Sequence, residues 1–166
     1  MTEIVKHAVF SKCRKYRYLL TRDWEKPVLS EGRGRLTFIM LNPSKADQCV
    51  DDPTIRRCMG FARREGYCGI QVVNLFAWRS TDPAGLMEDG VEPVGPENDD
   101  YIKRCLTCGE VVAAWGRHAF ARQRAREVAT MLAGVRIMCL GTTKNGSPRH
   151  PLLVRGDAPF VPWEVI

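Results

Sequence analysis

The chain has 166 residues and a net charge of +6, a length that suits one domain able to bury a core without disulfide or metal staples. No apolar run approaches the length of a membrane-spanning helix, and the opening stretch MTEIVKHAVFSKCRKYRYLL lacks the apolar centre of a signal peptide, which leads us to expect a cytoplasmic protein without a membrane partner. The basic balance is mostly arginine, whose flat donor fork suits phosphate or base contacts, although a modest positive charge also serves solubility alone.

In chain order, YRYLLT (Tyr16 to Thr21) is rich in β-formers and predicts a strand at the sheet edge, followed by a polar turn through Glu31 to Gly34. LTFIML (Leu36 to Leu41) is too short and too continuous for a half-exposed helix and predicts a strand buried on both faces. Asp52 and Pro53 then supply an N-cap and a first-turn proline for a helix carrying Ile55, Met59 and Ala62 on one stripe and ending near Gly66. GIQVVNLF (Gly69 to Phe76) predicts a second buried strand, Asp82 and Pro83 a turn, and Pro96 to about Cys108 a capped helix. EVVAAWG (Glu110 to Gly116) is the third buried strand, Arg117 to Leu132 a helix with Ala121, Ala125, Val128 and Leu132 on its apolar stripe, and VRIMCLG (Val135 to Gly141) the fourth. Strands alternating with helices predict a single α/β domain: a three-layer α/β/α sandwich around a short, mainly parallel four-stranded sheet, plus the N-terminal edge strand.

Ligands of such sheets bind beyond the carboxyl ends of the strands, so the residues that follow each strand are the candidates. They are Asn42, Pro43 and Ser44; Asn74; Gly116, Arg117 and His118; and the long last loop with Lys144, Arg149 and His150. An asparagine side chain complements the edge of a nucleobase, and a histidine can donate to developing negative charge. Asn74, directly after a buried strand, is either a rigid reader of hydrogen bonds or a turn residue. Pro43 fixes the backbone after Asn42, and the loop through Ser44, Lys45 and Asp47 presents amides and a carboxylate, or forms an ordinary turn. Of the nearby carboxylates Asp52 is committed to its helix cap, which leaves Asp47, with Asp51 behind it, to orient a water. His150 precedes Pro151 in a loop shaped by Gly146 and Pro148 and reads as functional, whereas His118, at a helix start, reads as a capping or packing residue.

The seven cysteines are an odd number and read as small buried apolar residues of a reducing compartment. Cys105 and Cys108 form a lone CxxC without a second pair, so neither a metal nor a redox cofactor is expected. GTTKNG is no phosphate loop and GxGxxG is absent, which disfavours hydrolysis of nucleoside triphosphates.

LNPSKAD, DDPTIRR, VVNLFAWRSTDP, VVAAWGRHA and GSPRHPLLV, in that order, resemble the motif set of a bacterial and phage family of unknown function over Tyr16 to Val154. The strand ends at Asn42–Pro43 and Asn74, VVAAWGRHA, and His150–Pro151 also resemble, more distantly, the uracil-DNA glycosylase superfamily. That resemblance implies a glycosylase-like fold, with Asn42 at the water-activating position, Asn74 as the reader of the base and His150 as stabiliser of the departing base anion. It puts Leu152 in the loop that probes the duplex, and implies extrusion of a nucleotide and hydrolysis of its glycosidic bond. The first motif lacks the aspartate and tyrosine of uracil enzymes, and Leu152 stands where serine follows the last proline. Ala77 and Trp78 stand where an iron–sulfur member would carry a ligand, so no cluster is expected.

The expected function is therefore a glycosylase-like hydrolase of a base, modified ones included, in DNA. Asn42, Asp47 and His150 are its catalytic candidates; Asn74, Pro43 and Ser44 hold the base; Lys45, Lys144, Arg149 and Leu152 contact nucleic acid. Arg56, Arg57, Arg63 and Arg64 share helix faces and serve as a phosphate track or as a solvated surface. The alternatives are a non-catalytic nucleic-acid or nucleotide-binding module of the same fold, and a hydrolase of free nucleosides or nucleotides.

Overall fold

Two antiparallel strands, β1 (Val5–Phe10) and β2 (Arg17–Asp23), open the chain in the computed structural model, which describes residues 3–24, 33–105 and 109–164. There follow β3 (Arg33–Met40), α1 (Pro53–Arg64), β4 (Tyr67–Asn74), α2 (Asn98–Cys105), β5 (Val111–Ala113), α3 (Ala121–Met131), β6 (Ile137–Cys139) and β7 (Val161–Pro162). Among the described residues the strands form one seven-stranded sheet of order β1-β2-β4-β3-β5-β6-β7. The four inner neighbours β4, β3, β5 and β6 run parallel, and β1, β2 and β7 add antiparallel margins.

The α/β reading stands, but the sheet is larger than four strands and one edge. The strand expected at the edge, β2, lies between β1 and β4; the edge belongs to β1, whose half-exposed VKHAVF carries too weak an alternation to announce itself. Arg33 and Gly34 belong to β3 and not to a turn, while Glu31 and Cys108 lie outside the described residues. The expected third and fourth strands shrink to three residues each, because beyond Ala113 and Cys139 the chain turns away into the loops that shape the site.

Strand period and helix period agree on where the core lies. Leu36, Phe38 and Met40 of β3 join Ile70 and Val72 of β4 on one face, beneath Ile55, Cys58, Met59, Phe61 and Ala62 of α1. The alternate residues Ile39, Val73, Val111 and Ala113 face the other way, against Ile102 of α2 and Ala121, Ala125 and Val128 of α3. All eight positions of β4 are buried, as expected of a strand covered on both faces. Asp52 caps α1, its Oδ1 accepting from the Ile55 amide at 2.8 Å, and Gly66 leaves the helix at φ +78°. None of the helices is long and apolar enough to cross a membrane among the described residues.

The arginines of α1 are fasteners. Arg56 donates to the Asp51 carbonyl at 2.5 Å, Arg57 to the Pro151 and Val154 carbonyls, and Arg64 to the Gly156 carbonyl at 3.0 Å. Arg63 stacks over Trp24 at 4.7 Å. A guanidinium has enough donors to hold backbone at a distance while its stem packs, and these four thereby seat the last loop and the strand ends on the helix.

Candidate functional site

Parallel pairing brings Met40 level with Asn74, so the segments leaving β3 and β4 emerge together. The Leu75 and Phe76 amides donate to the Met40 and Leu41 carbonyls at 2.9 and 3.0 Å and carry the ladder past the strand ends. Next to them the Gly116 amide donates to the Pro148 carbonyl at 3.0 Å, tying the last loop to the end of β5. Between these segments lies a cavity of about 220 Å³ whose walls include Arg17, Asn42, Ser44, Asp52, Asn74, Trp115, His118 and His150. This is smaller than the roughly 300–1,000 Å³ of a drug-sized cleft and suits one small ring.

Asn42 turns its amide nitrogen to the carbonyls of Pro43 (3.0 Å), Ser80 (2.8 Å) and Trp78 (3.5 Å). Three acceptors around one side-chain end fix which atom is nitrogen, and Oδ1 is left as an acceptor with no partner among the described residues. Asn74 is 1% exposed. Arg17 donates to its Oδ1 at a long 3.5 Å, and its Nδ2 is buried without a partner. The backbone beneath it is held hard: Asn98 donates to the Asn74 and Leu75 carbonyls at 3.0 and 3.2 Å, and Arg124 to the Leu75 carbonyl at 2.9 Å.

His150 begins a short 3-10 turn (Pro151–Leu153), and its Nδ1 accepts from the Leu152 amide at 3.2 Å. An accepting Nδ1 carries no proton, so the neutral ring holds its proton on Nε2, which is free to donate. Burial, then the neighbouring His118, lower the His150 pKa, against a smaller opposing effect of Asp52; burial also lowers that of His118. Both imidazoles are thus neutral at pH 7. Gly116 sits at φ +79°, and a Cβ there would lie 3.4 Å from the His150 Cβ. Gly116→Ala is expected to cost about 1 kcal/mol or more through the strained backbone, seen as a lower melting temperature, with the added Cβ in ordinary contact with His150.

The structure brings Asn42, Ser44, Asn74 and His150 to one cavity. Pro43 is buried beside it, its carbonyl accepting from the Ser80 amide at 3.0 Å. Asp47 is not on the cavity wall: its Oδ1 accepts from the amides of Cys49 and Val50 at 2.7 and 2.9 Å and closes its own turn. Asp51 pairs with Arg22 at 2.6 Å and Lys6 at 2.7 Å. Lys45 is exposed on a groove described below; Lys144 and Arg149 are exposed on the last loop, Arg149 donating to the Thr142 carbonyl at 3.0 Å. Leu152 and its neighbour Leu153 are 48% and 76% exposed directly after His150. Cys105 is buried, its carbonyl accepting from Gln71 at 3.1 Å.

Three cavity residues were not legible as such. Arg17 stood inside a β-rich run, where a charged residue among β-formers was the available signal. His118 read as packing, and Asp52 as a cap alone; it is a cap, but its second oxygen has no described partner and the residue lines the cavity.

A second feature adjoins the first. An open groove of about 510 Å³ shares Ser44, Ser80 and Thr81 with the cavity and is walled by Arg14, Lys15, Lys45, Arg79 and Trp78, with no carboxylate among the described residues.

No curated protein and no solved structure matches the chain. A family model does match, over residues 17–152, a span that runs from Arg17 past His150 and so encloses every residue of the cavity wall. The chain belongs to the family described as Protein of unknown function (DUF1643).

Proposed function

We propose that this protein is a glycosylase-like hydrolase that takes an extruded base of DNA into the cavity at the strand ends and hydrolyses its bond to the sugar. The observation that carries the reading is the meeting of Asn42, Asn74 and His150 in one ring-sized cavity, with the Nδ2 of Asn74 buried and unpartnered. An unsatisfied buried donor costs free energy until something supplies its acceptor; a base carbonyl or ring nitrogen is such an acceptor. The similarity of these strand-end motifs to the uracil-DNA glycosylases supports the same assignment.

In this reading Asn74 donates to the base, and His150 donates from Nε2 to a base oxygen as negative charge moves onto the ring. The Oδ1 of Asn42 and the free carboxylate oxygen of Asp52 hold a water. Its oxygen bonds to the sugar carbon, the glycosidic electron pair leaves with the base, and the water proton passes to Asp52. Asp52 takes the part first expected of Asp47, whose carboxylate is tied into its turn. The cationic groove beside the cavity favours a polynucleotide over a free nucleoside, because phosphates on either side of an extruded base need cations along a track. Leu152 and Leu153, exposed beside His150, are suited to fill the gap that the base leaves.

The test is incubation with single- and double-stranded oligonucleotides carrying uracil, hypoxanthine and other modified bases, followed by detection of abasic sites. Abasic sites at one base name the substrate. A second reading has its own support: Asp52 is half committed to capping α1, and a site whose sole facing carboxylate among the described residues is a cap suits a binding module. Salt-dependent binding of the strands with no abasic sites would select that module. For the groove, Lys15→Glu combined with Lys45→Glu is expected to weaken oligonucleotide binding at least tenfold and to flatten its dependence on salt, measured by fluorescence anisotropy between low and moderate ionic strength. Binding unchanged by this charge reversal would move the phosphate track elsewhere.

A further inference from the structure

Arg17 is 3% exposed on the cavity wall. Its Nη1 donates to the Ala46 carbonyl at 2.7 Å and its Nη2 reaches Asn74 at 3.5 Å, but its Nε has no partner and no carboxylate forms an ion pair with it among the described residues. Arg22, by contrast, is just as buried and has Asp51. A cation taken out of water without a counter-ion is unfavourable, and arginine does not escape by losing its proton at neutral pH. Burial lowers the Arg17 pKa to about 10, with Asp52 and Asp47 acting to raise it and Arg79 and Arg22 to lower it, so the charge persists.

The neighbouring Asn74 sharpens the point. A free asparagine offers an acceptor and donors side by side and so fits an imide, the acceptor-next-to-donor edge of uracil. Here Arg17 sets a fixed positive charge beside the Asn74 acceptor at 3.5 Å, and the pair adds two buried donors without partners, Nδ2 of Asn74 and Nε of Arg17. We infer that Arg17 and Asn74 form a cationic, donor-rich floor that selects a heterocycle with neighbouring acceptor atoms, above all one in anionic form, over a neutral imide. This rests on the proposed reading of the cavity as a base site and names the class of base it holds. It also gives the departing base, which leaves with the glycosidic electron pair, a fixed counter-charge.

The test uses the full chain and three free rings of nearly equal size: uracil, cytosine, and 6-azauracil, whose imide ionises near neutral pH. Calorimetric affinities are measured on either side of that ionisation. Uracil over the same range controls for the titration of His118 and His150, which share the cavity. The anion of 6-azauracil is expected to bind at least tenfold more tightly than its neutral form and than uracil, and cytosine more tightly than uracil. Arg17→Met, with a melting temperature close to that of wild type because it removes an unpaired buried charge, is expected to erase these preferences; Arg17→Lys keeps the charge and is expected to retain part of the anion preference. Equal affinity for both forms of 6-azauracil, or a preference that survives in Arg17→Met, overturns the inference and leaves the base site standing. Failure of all three rings to bind overturns the base-site reading itself.

Discussion

Replacing His150 by alanine is expected to slow base release by about 10²–10³-fold in single-turnover assays on the responding oligonucleotide, the cost of removing one preorganised donor to developing negative charge. The geometry behind the figure is the Nδ1 of His150, held by the Leu152 amide at 3.2 Å, which leaves the Nε2 proton for the base. His150→Asn keeps a side-chain acceptor for that amide and is expected to retain the turn while losing most of the rate, which separates the donor from the cap. The working form is the neutral imidazole. Protonation would place a proton on Nδ1 opposite the Leu152 N–H and break that bond.

Because burial and His118 lower the His150 pKa from its ordinary 6.5, the rate should hold from neutral pH down to below that value and fall only in more acidic solution. The sign for stability follows. The folded pKa lies below the unfolded one, so the contribution of this group is complete above 6.5 and is lost as the pH falls from there through the folded value. A rate that instead rises as His150 becomes protonated would assign it the role of general acid and overturn this account.

Asp51→Ala is expected to lower the unfolding free energy by about 3–5 kcal/mol, the range for stripping a buried charge of its partner, measured by urea denaturation. The Arg22 side chain is wholly buried and the Asp51 side chain 12% exposed. Arg22 also donates to the carbonyls of Thr21, Asp47 and Val50, so one guanidinium holds the whole loop before α1 against β2. Losing its carboxylate loosens the segment that delivers Asp52 to the cavity, and a more rapid proteolytic cut near residues 47–51 should accompany the loss of stability. Burial works to raise the Asp51 pKa, but the bonds from Lys6 and Arg22 outweigh it and the net direction is down. The contribution of the pair is therefore present above the ordinary carboxylate value of 3.8 and vanishes as the pH drops through the folded value. A loss of under 1 kcal/mol would mean that the carbonyl contacts alone hold Arg22.

The chain itself determined the parallel heart of this protein. LTFIML and GIQVVNLF are continuous apolar runs that satisfy a strand only when both faces are covered, and the Asp52–Pro53 start of α1 is written in two residues whose local chemistry has few other uses. Because such strands end at the sheet's carboxyl edge, Asn42, Asn74 and His150 were nameable as candidates before any coordinates. The margins were not: β1 and β7 are short or half exposed, and strands of that kind draw their stability from a neighbour whose position no local pattern encodes.

Only tertiary structure decided which polar groups are already satisfied. Asp47 and Asp52 are alike as letters, yet one closes its own turn while the other keeps an oxygen at the cavity. Arg17 and Arg22, five residues apart in one strand, are both buried; Arg22 pairs with Asp51, and Arg17 forms no ion pair among the described residues. Apolar burial follows from a residue's own surface and is legible from its period along the chain. The pairing of a charge depends on a partner brought in from elsewhere, and that is settled only when the chain has folded.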